Sequence, residues 1–248
     1  MSGHSKWATI KHKKGAADAK RGQIFTKLIK EISIAARLGG GEASSNPRLR
    51  AAVLKARTAN MPKDNIERAI KKGLGELDGV NYSEITYEVY GPGGVAILVD
   101  VLTDNKNRTA AELRYILNKG GGSLGEAGSV SYLFKRKGII GYDSAKYTED
   151  KVLEVALDAG AEDVSTVGTI IEVATNPDEF EKVLDALEKA GLEHSSAEII
   201  KVADAYITLD KEKTGKVIRL IENLDDHDDV QSVSSNIDIP DDYAPPEE

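Results

Sequence analysis

The chain contains no cysteine, which excludes a disulfide framework, a thiolate zinc site and a cysteine nucleophile, and fits a reducing compartment. Long apolar runs are missing too. No stretch approaches the roughly 20 apolar residues of a membrane-spanning helix, and no apolar segment follows the basic first residues as it would in a secretion signal. A cytoplasmic location without membrane contact is the resulting expectation. Histidine is scarce: His4, His12, His194 and His227 show neither H-x-x-x-H nor HExxH spacing, so no transition-metal site is expected. The acidic run around His227 lacks the calcium-loop pattern and reads as a solvated turn. Ser195 and Ser196 beside His194 lack a G-x-S-x-G elbow, so no hydrolase is expected.

What is present is charge, and it is sorted along the chain. The net charge is -8, yet residues 1–80 hold 17 of the 33 Lys and Arg against 7 of the 41 Asp and Glu, a balance of +10 that leaves -18 for the remainder. Such segregation points to a polyanionic partner for one end. The basic arm carries Lys6, Lys11, Lys13, Lys14, Lys20 and Arg21 around Trp7, the only tryptophan. Trp7 reads equally as a base-stacking platform or as an anchor of the arm.

From Gln23 onward, Phe25, Leu28, Ile29, Ile32 and Ala36 recur at three and four, the period of a helix, until Gly39-Gly40-Gly41. Asn46-Pro47 reads as the cap and first position of a second helix. A third begins near Pro62 or Asp64, with Asp64 and Glu67 at capping-box spacing, and stops at Gly73. Lys27, Lys30, Arg48, Arg50, Lys55 and Arg57 fall outside the apolar stripes. They join the arm as candidate nucleic-acid contacts.

Beyond a linker at 74–81 the period becomes 2. Ile85, Tyr87 and Val89, then Val95, Ile97, Val99 and Val101, form a hairpin about Gly91-Pro92-Gly93-Gly94. A helix at 107–119 and a strand SVSYLF follow. Residues 137–203 read βαββαβ, the ferredoxin-like plan. AYITL, a helix from Asp210 to Leu224 and the strand DVQSVSS then complete a second such unit with the elements from 94 to 134. The expected fold class is α+β in three domains: a basic arm plus helical domain at 1–80, a discontinuous ferredoxin-like domain at 81–135 and 204–240, and an inserted ferredoxin-like domain at 136–203. An acidic tail at 241–248 is expected to be disordered.

Gly120-Gly121-Gly122-Ser123-Leu124-Gly125 matches G-x-G-x-x-G, but a helix precedes it and a strand follows, the reverse of a dinucleotide site, and no Walker lysine is present. No cofactor or small-molecule substrate is expected. Two readings remain for Gly120, Gly121, Gly122, Ser123, Gly125 and Gly128: a flexible connection, or a contact loop whose backbone N–H groups approach a phosphate or a partner.

GHSKWATIKHKKGAADAKRGQIFTKLIKEI, NPRLRAAV, YGPGGVAILV, TDNKNRTAAELR and GGSLGEAGSVSYLF resemble the YebC/PmpR family of bacterial transcriptional regulators, whose mitochondrial relatives include the translational activator of cytochrome c oxidase. The resemblance runs over nearly the whole chain. It implies three domains and a cytoplasmic, non-enzymatic nucleic-acid-binding protein, acting either on DNA or, at the ribosome, on ribosomal RNA near the glycine-rich loop. The sequence shows no clear recognition helix, and broad backbone contact suits structured RNA at least as well as DNA. The rival reading is a protein-interaction module whose acidic domains bind a protein partner.

Overall fold

The computed structural model describes residues 18–77, 80–240 and 243. The fold is α+β, with seven α-helices and ten strands among the described residues. Helices α1 (Asp18–Gly39), α2 (Pro47–Thr58) and α3 (Lys63–Leu74) pack around Ile32, Ala36, Leu49, Val53, Ile66 and Ala69. Helix α1 already begins at Asp18, so the end of the expected arm is helical and Gly22 lies inside the helix. Asn46 caps α2 as its sequence position suggests: its side-chain oxygen accepts the Leu49 N–H at 3.1 Å. Its amide nitrogen donates to the carbonyls of Ala35 and Gly40, each at 2.8 Å, which closes the α1–α2 corner. Helix α3 starts next to Pro62 as expected, but its cap and its end differ. Pro62 is its N-cap without a side-chain bond, and it runs through Gly73 to a left-handed cap at Gly75. Gly73 is a crossing point: a Cβ there would lie 2.3 Å from the Ser33 carbonyl oxygen of α1.

The first sheet has the order β3-β1-β2-β9, built from β1 (Ser83–Tyr90), β2 (Ala96–Thr103), β3 (Ser123–Leu124) and β9 (Val230–Ser235). One face of β2 presents Ile97, Val99 and Val101 to α4 (Lys106–Gly120) and α7 (Lys211–Asp225), which supply Leu113, Leu117, Val217, Leu220, Ile221 and Leu224. The other face is covered as well. Ala96 and Leu98 meet Val130, Leu133 and Phe134, which explains why SVSYLF is no strand before its last residue: residues 131–133 form a short 3-10 turn that covers the sheet, and Phe134 opens the strand that follows. AYITL is also outside this sheet. Its β8 (Ile207–Thr208) pairs in parallel with β10 (Ile237–Asp238), and the central place next to β2 belongs to β1.

The second sheet, β5-β6-β4-β7, is antiparallel throughout. Its strands are β4 (Phe134–Asp143), β5 (Asp163–Val167), β6 (Ile170–Thr175) and β7 (Ser196–Ala203), with α5 (Glu149–Ala159) after β4 and α6 (Phe180–Lys189) after β6. The chain order and strand order together are those of the ferredoxin-like plan. Ile140, Tyr142, Ile171 and Val173 pack against Val152, Ala156, Val183 and Leu187. In the expected tail, Tyr243 is described and packs against the first core.

Candidate nucleic-acid interface

Lys6, Trp7, Lys11, Lys13 and Lys14 lie outside the described residues, as does the side chain of Lys20. Arg21 is exposed and engaged in an interaction with its surroundings.

The helical cations are placed otherwise than their sequence positions suggest. Gln23, Lys27 and Lys30 recur at four and three along α1, forming a second stripe that faces the turn at 225–229. Gln23 donates to the Asp226 carbonyl at 3.3 Å, and Lys27 to the Asp225 carbonyl. Lys30, 8% exposed, sets its Nζ 2.5 Å from Asp229 Oδ1 and 2.9 Å from the Asp228 carbonyl. The same ammonium lies 5.8 Å from the ring centroid of Tyr82. Arg48 binds Glu31 of its own bundle at 2.7 Å and also Glu84 on β1. Arg50 Nη2 bridges both oxygens of Glu181 at 2.8 Å each, and Lys55 Nζ meets Glu198 Oε2 at 2.8 Å.

Five of the six helical candidates are therefore paired with the chain's own carboxylates; Lys30 is buried and Lys27 and Arg48 are half-buried, which corrects the expectation of a solvated exterior for these three, whereas Arg50 and Lys55 stay exposed while paired. The cause is the acidic remainder of the chain, which folds against the basic bundle. The sixth, Arg57, is exposed and has no partner among the described residues. Sequence reasoning missed Arg68, Lys71 and Lys72 on α3, also exposed and without a partner among the described residues. Their i, i+3, i+4 spacing, which puts them on one helix face, was the available signal.

The acidic turn is solvated at Asp226 and Asp228, but not at Asp229. Asp229, 3% exposed, accepts from Lys30, from Arg108 at 2.9 Å, from Thr103 at 3.1 Å and from Thr109 at 2.6 Å. Burial raises the pKa of Asp229, but the bonds from Lys30, Thr109 and Arg108 outweigh it and hold the carboxyl well below the usual carboxylate range. Asp229, His227 and Glu112 stand close enough to suggest a cation site. The histidine has no lone pair to spare: Nδ1 of His227 accepts the Asp229 N–H at 3.1 Å, so Nε2 carries the proton toward Glu112 Oε2 at 2.8 Å.

The glycine-rich loop is pinned. Glu88 on β1 accepts the N–H groups of Gly128 at 2.6 Å, Val130 at 2.6 Å and Ser131 at 2.8 Å. Burial pushes Glu88 up, yet these backbone donors prevail and bring its pKa to about 2. Gly121 and Gly122 give their N–H groups to Leu117, and Gly125 to the Glu88 carbonyl. The donors that the sequence offered to a phosphate are thus bound internally, with an own carboxylate in the anion's place. Gly120, Gly121, Gly122, Ser123, Gly125 and Gly128 are drawn together as a folded corner beside β1, and Gly121, Ser123 and Gly128 retain exposed outer surface. The glycine requirement is steric: a Cβ on Gly120 would stand 2.6 Å from Leu220 Cδ1. Next to the corner, α4 exposes Tyr115 with Lys119 Nζ 4.6 Å from its ring centroid.

Ser195 Oγ donates to the Gly141 carbonyl at 2.9 Å and, among the described residues, has no histidine as hydrogen-bond partner. Among the described residues no helix is long and apolar enough to cross a membrane.

A family model described as the TACO1/YebC protein N-terminal domain matches residues 5–76, and one described as the TACO1/YebC second and third domain matches residues 82–237. A Treponema denticola protein named "Probable transcriptional regulatory protein" is 62% identical over 247 residues, covering 100% of both chains. A Borreliella afzelii protein of the same name is 58% identical over 244 residues, 98% of this chain and 100% of that one. The crystal structure of a conserved hypothetical protein from Aquifex aeolicus superposes with a TM-score of 0.83 at 47% identity, covering 91% of this chain and 93% of that chain.

Proposed function

The chain belongs to the TACO1/YebC family, and from that premise we propose that it is a non-enzymatic regulator of gene expression that works by binding nucleic acid through its basic amino-terminal end. The observation that carries this reading is the segregation of charge, +10 in residues 1–80 against -18 elsewhere. A polynucleotide releases condensed counterions when cations approach its phosphates, so a dense cationic segment gains affinity for it without reading sequence. The names of the relatives, which describe transcriptional regulators, support the regulatory part of the proposal.

With Lys27, Lys30 and Arg48 engaged as ties within the fold, the contact falls to Lys6, Trp7, Lys11, Lys13, Lys14, Lys20 and Arg21 of the arm, joined by Arg57, Arg68, Lys71 and Lys72. Segments 1–80, 81–135 with 204–240, and 136–203 act in this reading as three domains, the acidic two presenting the glycine corner and holding the basic one in place. Cytoplasmic work on DNA or on ribosomal RNA satisfies the same phosphate chemistry. Crosslinking in cells followed by sequencing of the attached nucleic acid separates them. Enrichment of promoter DNA assigns the protein to transcription, and enrichment of large-subunit ribosomal RNA assigns it to translation. Recovery of neither overturns the proposal in favour of a protein-interaction module.

A further inference from the structure

The ion pairs that tie the basic bundle to the acidic sheets are of two kinds. Lys30 and Asp229 have side chains only 9% and 5% exposed, and breaking such a pair leaves a buried charge uncompensated. The pairs joining α2 to α6 and to β7 stand in water: Arg50 and Glu181 are 43% and 59% exposed, Lys55 and Glu198 52% and 39%. Exposed pairs are worth little and are screened by salt. They also have the chemistry of a phosphate contact already made. A carboxylate whose two oxygens both accept from one guanidinium nitrogen occupies the place that two oxygens of a phosphodiester would take.

We propose that Arg50 and Lys55 form a phosphodiester-binding site on α2 that Glu181 and Glu198 occupy in the free protein, so that nucleic acid exchanges phosphate for carboxylate and releases α2 from α6 and β7. This inference rests on the nucleic-acid reading above. The basic bundle is thereby partly masked until a polyanion competes for it, while the buried Lys30–Asp229 pair keeps α1 attached to the first sheet. The masking limits indiscriminate binding, because a ligand must displace two internal carboxylates before it gains these two cations.

The test compares Glu181→Gln/Glu198→Gln with Glu154→Gln/Asp158→Asn. The second variant removes the same charge from exposed α5 carboxylates that have no partner among the described residues. Binding of the full chain to short DNA and RNA duplexes of matched sequence is read by fluorescence anisotropy at low salt. Because the chain lacks cysteine, Thr58→Cys with Ala190→Cys places spin labels at two exposed positions on α2 and after α6. The expected results are affinity about tenfold tighter for the first variant than for the second, and a label-to-label distance that lengthens when wild-type sequence in this labelled background is saturated with duplex. Equal affinities for the two variants overturn the inference, as does an unchanged distance, while wild-type binding leaves the functional reading standing. Absence of duplex binding by wild type and by both variants overturns the functional reading itself.

Discussion

Lys30 and Asp229 meet at 2.5 Å across 199 positions of sequence, in a place where both side chains are nearly dry. Lys30→Met removes the ammonium and leaves the Asp229 carboxylate with Arg108, Thr103 and Thr109. Loss of about 3 kcal/mol of unfolding free energy is expected in urea titration. A loss within a few tenths of a kcal/mol would mean that α1 is held by its apolar stripe alone.

Glu88 gives a pH signature. Its carboxyl is depressed from 4.5 to about 2 in the folded chain, so its contribution is fully present above the unfolded value and is lost as pH falls from there through about 2. Glu88→Gln should flatten the fall in stability across that window and leave the part due to Asp229, which is depressed likewise. The same substitution should speed amide hydrogen exchange at Gly128, Val130 and Ser131, measured by NMR at neutral pH. Unchanged exchange would mean that the corner is ordered without the carboxylate.

Two glycines should respond in opposite directions. Gly73→Ala places a Cβ 2.3 Å from the Ser33 carbonyl oxygen and 2.9 Å from Ala36 Cβ, so α3 must move off α1 at a cost of about 2 kcal/mol. Gly22→Ala meets nothing within 4 Å inside helix α1 and should stabilise by about 0.5 kcal/mol. Paired thermal melts, with Tm falling for the first and rising for the second, check both.

The elements that sequence reveals are those with strong local periodicity. Ile97, Val99 and Val101 alternate because one face of β2 meets helices, and the Asn46 cap is legible because its bond to Leu49 spans three residues. SVSYLF misleads since its apolar side chains before Phe134 cover a sheet rather than pair in one, a distinction made by Glu88 some forty residues earlier. AYITL misleads for a similar reason: β1 takes the place beside β2 that the βαββαβ grammar assigns to it. In the candidate interface, periodicity shows that Lys30, Arg50 and Lys55 avoid the apolar stripe of their own helices. It carries no information about Asp229, Glu181 and Glu198, which approach from 131 to 199 positions away. The sorting of charge between the two ends is visible in the sequence, but its consequence, that the acidic part folds against the basic part, is tertiary.

The most direct measurement is equilibrium binding of DNA and RNA duplexes by the full chain and by Lys11→Glu/Lys13→Glu/Lys14→Glu over a range of salt concentrations. A protein that engages six phosphates through its basic end should lose about a thousandfold in affinity between roughly 50 and 200 mM salt, and the triple reversal should bind more weakly with a shallower salt slope. Identical affinities and slopes for the two proteins would contradict the assignment of nucleic-acid binding to the amino-terminal cations.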